Sequence, residues 1–559
     1  MDELYTIITG RIRDFVLKHD AVRAVQTAIK YSTPQQRKDI ATELKGTYAQ
    51  LAESRYAKFL IGKLLVQNDK EIRDMIVPEF YGRVRKMINH PEASWILDDI
   101  YRTVATKDQK AHLLREWYGP EFSLKEMTKD SEVTAELSQI LEKEPSKRGH
   151  IMKSLMDLIN TLIQKKMTGF TMLHDAMMQY FMATQPGTEE FTEFIEVVKG
   201  DEGGDLLKNL AFTRSGARLA SLLLAHGTAK DRKVMLRTFK DTFLLMSGDA
   251  FAHVVILTAY DVIDDTKLTS KSIFPELLGE KEEDMVQNTV AAINNPHART
   301  TILYLFEGLS KSLFSAGNTF TTAILKEVHE IRKTTSKKDD ESRRNELAAA
   351  LSPQLLSAIT AAPADLTSTV FGCQFVADVL LFGAGDKQQT LEAVAESAGG
   401  DPSEEPAQDD LAPKTHISQT AAGGRMLKSL IQGGRFDRAT GKVILVDPPL
   451  NFANILYPHI KKHIVEWATG TSSFVVVALM EVDDFSETEA LKKTLKKNKK
   501  QLEKASTEAT AAQKAAKEAE AQEKATAEEN GTKKVAKKGK KATERPVGNM
   551  GSKILLEKL

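Results

Sequence analysis

In the stretch AESRYAKFLIGKLL, residues 52–65, apolar residues fall three, four, seven and eight positions past Ala57, at Leu60, Ile61, Leu64 and Leu65. That spacing puts all four on one side of a helix and predicts a half-buried one. The same offsets follow Ala93 (Ile96, Leu97, Ile100, Tyr101), and they recur from Ala252. In all, eleven copies begin at Ala21, Ala57, Ala93, Gly169, Gly216, Ala252, Ala298, Gly372, Gly423, Ser472 and Gly551. Each opens on a small residue, which lets another segment approach closely. Three of the intervals between starts are 36 residues, and the longer ones carry insertions. A helical pattern with a period of this size predicts an all-α solenoid, in which no unit buries its stripe alone and stacked units share one core. The run FVVVALM, 474–480, has a strand-like composition, but it falls in register with the repeat and is predicted helical.

The segments between copies set the expected organisation. Residues 1–118 hold the first, evenly spaced copies. Residues 119–330 hold a central group entered through a long joint helix, KEPSKRGHIMKSLMDLINTLIQKK. Residues 331–350, including TTSKKDDESRRNE, are charged and aperiodic and predict a linker. Residues 351–559 hold divergent copies, with irregular loops expected at 396–416, rich in acid, Pro and Gly, and at 490–546, an Ala/Lys/Glu tract without a visible stripe.

Composition narrows the function classes. Basic and acidic residues balance at 77 each, so no global charge draws the chain to nucleic acid or lipid. The single cysteine, Cys373, excludes an intrachain disulfide and suits a reducing compartment. No run of apolar residues is long enough to span a bilayer, and the N-terminus has no secretory pattern. Its first residues enter helical pattern directly, as expected of a chain whose N-terminal extension is missing. No phosphate-binding glycine loop, nucleophile elbow or H-E-x-x-H pair is present, so neither catalysis, a metal nor a cofactor is expected. VKGDEGGDLLKN, 198–209, lacks the ligand order of a calcium loop. His174 and His253 are expected on solvent-facing helix sides, and Cys373 is expected to be inert.

A unit of about 36 residues whose second helix opens on a small residue resembles the Pumilio repeat, an RNA-reading module. The segments MTGFTMLHDAMMQYF, AFTRSGARLASLLLAHGTAKDRK and GSKILLEKL, with eleven divergent copies, look like the nucleolar Puf-A/Penguin branch. The resemblance spans essentially the whole chain. It implies a right-handed, bent, L-shaped array acting as a monomer. It also implies residence in the nucleus and nucleolus, and RNA binding with little base specificity. Further implications are a role in 60S large-subunit biogenesis and pre-rRNA processing among pre-60S proteins, and translational control of mRNA.

In base-reading Pumilio proteins the positions one and five past the small residue grip a base edge, and the position two past it stacks on the base. Here the slots read Val22, Arg23 and Gln26 in copy 1; Lys58, Phe59 and Gly62 in copy 2; Ser94, Trp95 and Asp98 in copy 3. They continue with Ala217, Arg218 and Ser221 in copy 5; His253, Val254 and Leu257 in copy 6; Arg299, Thr300 and Leu303 in copy 7; Gly424, Arg425 and Lys428 in copy 9. Apolar residues at the fifth position cannot replace an edge hydrogen bond, so a one-base-per-repeat code is broken. What remains suits a backbone binder. Arg23, Lys30, Lys58, Lys63, Arg218, Arg425 and Lys428 are candidates for phosphates, Phe59 and Trp95 for stacking, and Gln26 for one surviving edge contact. The bland alternative for each is a solvated charge or an aromatic packed on its neighbour. Residues 1–118 carry 20 basic and 16 acidic residues. The basic run with Lys533, Lys534, Lys537, Lys538, Lys540 and Lys541 is a candidate nuclear address. A protein-interaction scaffold is the competing function class, since a helical solenoid serves it equally well.

Overall fold

The computed structural model describes residues 2–18, 20–123, 133–404, 415–437, 441–510, 513–514 and 547–559. Residues 405–414 of the expected loop at 396–416 and the run from Lys533 to Lys541 lie outside them. All eleven stripes form helices. They span Ala21–Tyr31, Lys58–Leu65, Ala93–Thr103, Thr171–Met182, Arg214–His226, His253–Val262, Pro296–Glu307, Val370–Phe382, Ala421–Gln432, Ser473–Glu481 and Met550–Lys558. In copies 2 to 6, 8 and 9 all four stripe residues are buried. FVVVALM lies inside the helix Ser473–Glu481. Among the described residues the only sheet is a two-stranded antiparallel hairpin, β1 (Gly434–Asp437) with β2 (Lys442–Leu445), which helical periodicity did not foresee. No single described helix is long and apolar enough to cross a membrane.

The small opening residue has a local cause. A Cβ on Gly216 would stand 2.2 Å from the Leu210 carbonyl oxygen, and one on Gly372 would stand 1.9 Å from that of Leu366. At these two positions the close neighbour is the backbone of the preceding turn, whereas at Gly551 it is the Ser473 side chain of another helix, 2.3 Å away. A threonine three residues earlier caps the helix: the side chains of Thr213, Thr369 and Thr420 accept from the N–H of Gly216, Gly372 and Gly423.

A second device recurs in the first copies. Glu43 accepts from the backbone N–H of Gly10 (2.8 Å) and Ile12 (2.7 Å). Glu79 does the same for Gly46 (2.5 Å) and Tyr48 (3.0 Å), and Glu116 for Gly82 (2.6 Å) and Val84 (3.1 Å). Each glycine has positive φ, turning the chain so that two N–H groups face one carboxylate. Every clip joins the start of one repeat to a residue about 33 positions later.

The chain divides into two compact units, Met1–Asp264 with Thr319–Lys337, and Asp265–Asn318 with Lys338–Leu559. These do not follow the sequence blocks 1–118, 119–330 and 351–559. Thr319–Thr335 is a helix, with Ile324, Leu325 and Val328 buried, and it packs on the helices of copies 5 and 6. The segment 331–350 is also not an irregular linker. Helix Asp340–Ala361 follows a short break, its start capped by Asp339 and its Arg343 buried and bonded to the Lys338 carbonyl. The charges there serve caps and a buried guanidinium, which masked the helical pattern. The tract expected to be irregular from 490 begins with two helices, Thr488–Lys497 and Lys499–Thr507. Leu491, Leu495 and Leu502 are buried, a stripe too thin to stand out among lysines.

Candidate nucleic-acid interface

Copies 1 to 3 leave a groove of about 880 Å³ open to solvent on the side of the slot residues. Lys30, Lys58, Phe59, Lys63 and Trp95 line it, so five of the ten candidates converge. Phe59 is 53% exposed and Trp95 60%. Neither is sealed against a neighbour, as the bland reading of them held. Trp95 is held edge-on by the buried Phe170, ring centroids 5.0 Å apart, which fixes the indole while leaving much of it free. The Lys58 ammonium lies 5.2 Å from the Phe59 ring centroid and pairs with Glu92 at 2.6 Å. Lys30 stands 4.9 Å from the centroid of exposed Tyr31. Val66 and Arg102 also line the groove; they sit outside the slots and so escaped the sequence reading.

The edge-reading atoms are committed elsewhere. The Gln26 amide donates to the Tyr56 carbonyl at 3.2 Å. Asp98, at the fifth slot of copy 3, accepts from the N–H of Thr171 (3.1 Å) and Met172 (2.9 Å), capping the next repeat's helix. Burial pushes its carboxyl up to about 6 despite those two donors. Ser221 bonds to the Ala217 carbonyl of its own helix, and Leu257 and Leu303 are buried.

Three expectations need correction. His174 is fully buried, not solvent-facing. Its Nε2–H donates to the Thr168 carbonyl and its Nδ1 accepts from the Thr213 hydroxyl, both at 2.8 Å, and burial lowers its pKa to about 4. His253 is 2% exposed, with Nε2 3.1 Å from the Thr321 hydroxyl. Arg218 is not free for phosphate, because its guanidinium forks onto Glu327 with bonds of 3.1 and 3.0 Å. Thr321 and Glu327 both belong to the Thr319–Thr335 helix, so the slot face of copies 5 and 6 is covered from within the chain. The single-helix geometry used on the sequence could not register a cover supplied from about 70 to 110 residues away.

In the second unit, exposed Arg425 lines a cavity of about 210 Å³ with Cys373, Gln374, Asp378 and Arg435. Burial pushes the Cys373 thiol up to about 11, so it is held as an unreactive thiol. Arg435, from β1, pairs with Glu307 (3.0 Å) and Asp378 (3.4 Å), pinning the hairpin. The Lys428 ammonium stands 5.3 Å from the Phe474 ring centroid. Arg23, on copy 1, is exposed beside the groove rather than lining it. Among the described residues no cluster of three His, Cys, Asp or Glu side chains is placed to hold a metal ion.

A model of the CPL (NUC119) domain matches residues 294–441. Pumilio homology domain family member 6 of Schizosaccharomyces pombe is 33% identical over 509 residues, which cover 91% of this chain and 75% of the relative. Pumilio homolog 3 of Homo sapiens is 28% identical over 521 residues, 91% of this chain and 74% of the relative. The crystal structure of human Puf-A superposes with a TM-score of 0.72 at 28% identity, covering 90% of this chain and 92% of that one. A second structure, human Puf-A in complex with DNA, gives a TM-score of 0.71 at 27% identity, covering 89% and 92%. With eleven helical stripes and relatives of this identity along nearly its whole length, the chain belongs to the Puf-A branch of the Pumilio homology family.

Proposed function

We propose that the chain binds RNA through phosphates and stacking, without reading its sequence, and that it acts in the nucleolus in assembly of the large ribosomal subunit and processing of pre-rRNA. The observation that carries the RNA reading is the split within the slots. Edge-reading groups are capped, buried or internally bonded, while the stackers Phe59 and Trp95 stand exposed among Lys30, Lys58 and Lys63. A ring offered to solvent beside cations takes any base, because every base has a π-face. The solved human Puf-A bound to DNA supports nucleic acid as the ligand class. The nucleolar and ribosomal part of the reading rests on the sequence resemblance.

The test is a binding series with RNAs of equal length and different sequence, over a range of salt. Affinity is expected to fall by a slope of about 0.7 in log K per log salt for each phosphate neutralised on a single strand, and to change little with sequence. Replacing Lys30 and Lys63 flattens that slope. A shallow slope with one favoured sequence defeats the sequence-independent reading, and no binding of any RNA defeats RNA as the ligand. For the assembly role, depletion followed by sedimentation of ribosomal particles is decisive: an unchanged 60S level rejects it.

A further inference from the structure

We infer that the outward side of the helices Thr488–Lys497 and Lys499–Thr507 is a second RNA-binding surface, one that takes the phosphate backbone of a double helix. It rests on RNA being the ligand but on none of the groove residues. From 488 to 507 the chain carries seven lysines against two glutamates. Lys492 pairs with Glu489 at 2.8 Å, and Lys499 reaches Glu503 only at 3.9 Å. The other five, Lys493, Lys496, Lys497, Lys500 and Lys504, are exposed and form no ion pair among the described residues.

Their placement is built rather than incidental. Leu491, Leu495 and Leu502 are completely buried and fix which side of each helix faces inward. On the first helix Lys493, Lys496 and Lys497 then point away from the leucines. On the second, Lys500 and Lys504 do the same. Lys493 with Lys497, and Lys500 with Lys504, are like charges at i and i+4, an arrangement that destabilises a free helix. A face meant only for solubility is served as well by mixed charges. A phosphate array offsets this repulsion, because each lysine then neutralises a charge and releases counterions.

The side-chain chemistry selects the form of the RNA. No aromatic residue and no arginine occurs between 488 and 507, so nothing stacks on a base or forks onto a base edge. Ammonium groups on an outward helix side meet phosphates as point charges, and phosphates stay on the outside when bases are paired. The groove of copies 1 to 3 offers exposed rings, which demand an unpaired base.

The experiment uses the full chain with all five lysines changed to Gln, the same five changed to Arg, and a separate Phe59→Ala/Trp95→Ala variant. A short blunt RNA duplex and an oligouridine of equal length are titrated over a salt series. The Gln variant should lose about tenfold or more in duplex affinity at low salt, with the slope shallower by about 0.9 for each lysine that meets a duplex phosphate. It should keep oligouridine binding within about threefold, and the Arg variant should retain duplex binding. Unchanged duplex affinity and slope in a Gln variant that melts like the wild type overturn the inference. So does an equal loss on both RNAs, or loss of a polyglutamate peptide with the duplex retained, which assigns the face to an acidic protein. Unchanged oligouridine binding by the Phe59/Trp95 variant defeats the groove instead and leaves the lysine surface standing.

Discussion

Copies 2 and 3 and copies 5 and 6 place equivalent positions on the same side of equivalent helices, and those positions meet opposite fates. In copies 2 and 3 the slot side opens on a groove with Phe59 and Trp95 exposed. In copies 5 and 6 it lies under the helix Thr319–Thr335, with Arg218 bonded to Glu327 and His253 beside Thr321. The difference comes from the intervals. Copies 1 to 3 and copies 5 and 6 alike follow at 36 residues, but the 74 residues between the starts of copies 7 and 8 supply a helix that folds back over copies 5 and 6. A repeat position therefore does not fix whether its side is a surface; the insertions do.

The contrast should break most visibly in stability. Ile256→Ala, in the covered copy 6, or Leu325→Ala, in the cover itself, is expected to cost roughly 2–5 kcal/mol, because each empties a fully packed site. Trp95→Ala should cost less than about 1.5 kcal/mol, since mainly its edge contact with Phe170 is lost. Chemical denaturation of the three variants checks the order, and equal losses would mean that Trp95 is core.

The next effect is in pH. His174 occupies the fifth slot of copy 4 but is buried and neutral down to about pH 4, against about 6.5 in the unfolded chain. Between those values the unfolded chain binds the extra proton. This residue's contribution should therefore be complete above about pH 6.5 and fall by about 1.4 kcal/mol per pH unit on the way down to about pH 4. His174→Gln, which can still donate to the Thr168 carbonyl, should lose that steepness. Parallel stability curves for both proteins across the window would place the proton elsewhere.

In binding, Phe59→Ala and Trp95→Ala should each weaken single-stranded RNA by about 1–3 kcal/mol. Arg218→Ala, under the cover, should shift affinity by less than about twofold if its charge is committed to Glu327. A loss at Arg218 matching that at Phe59 would show that the cover opens. Smallest of all is Gln26→Ala. Its amide is already bonded to the Tyr56 carbonyl, so a change of less than about 0.5 kcal/mol for any sequence is expected.

The stripes were legible because burial has a period and leaves the same offsets each time. Leu97, Leu219 and Val376 sit in the core where the spacing put them. What escaped depends on partners far away in sequence. Thr213 reaches His174 from the next repeat, and Thr321 reaches His253 from an insertion. Neither leaves a mark on the helix it closes. The hairpin was missed for a different reason: RFD and KVIL are too short for alternation to outweigh the surrounding helical pattern. Phe59 and Trp95 were identified by slot, but their exposure depends on no other described residues covering them, which is a tertiary fact.

The carboxylate clips at Glu43, Glu79 and Glu116 make each of the first repeats close on itself. Each carboxylate lies near the end of the 36-residue unit whose entry turn it holds. A cut between units therefore leaves every remaining clip whole. A cut inside a unit takes its carboxylate away and leaves two backbone donors of that same unit unmet. Such an array should come apart in whole repeats, each one that is lost costing mainly its interface with the next.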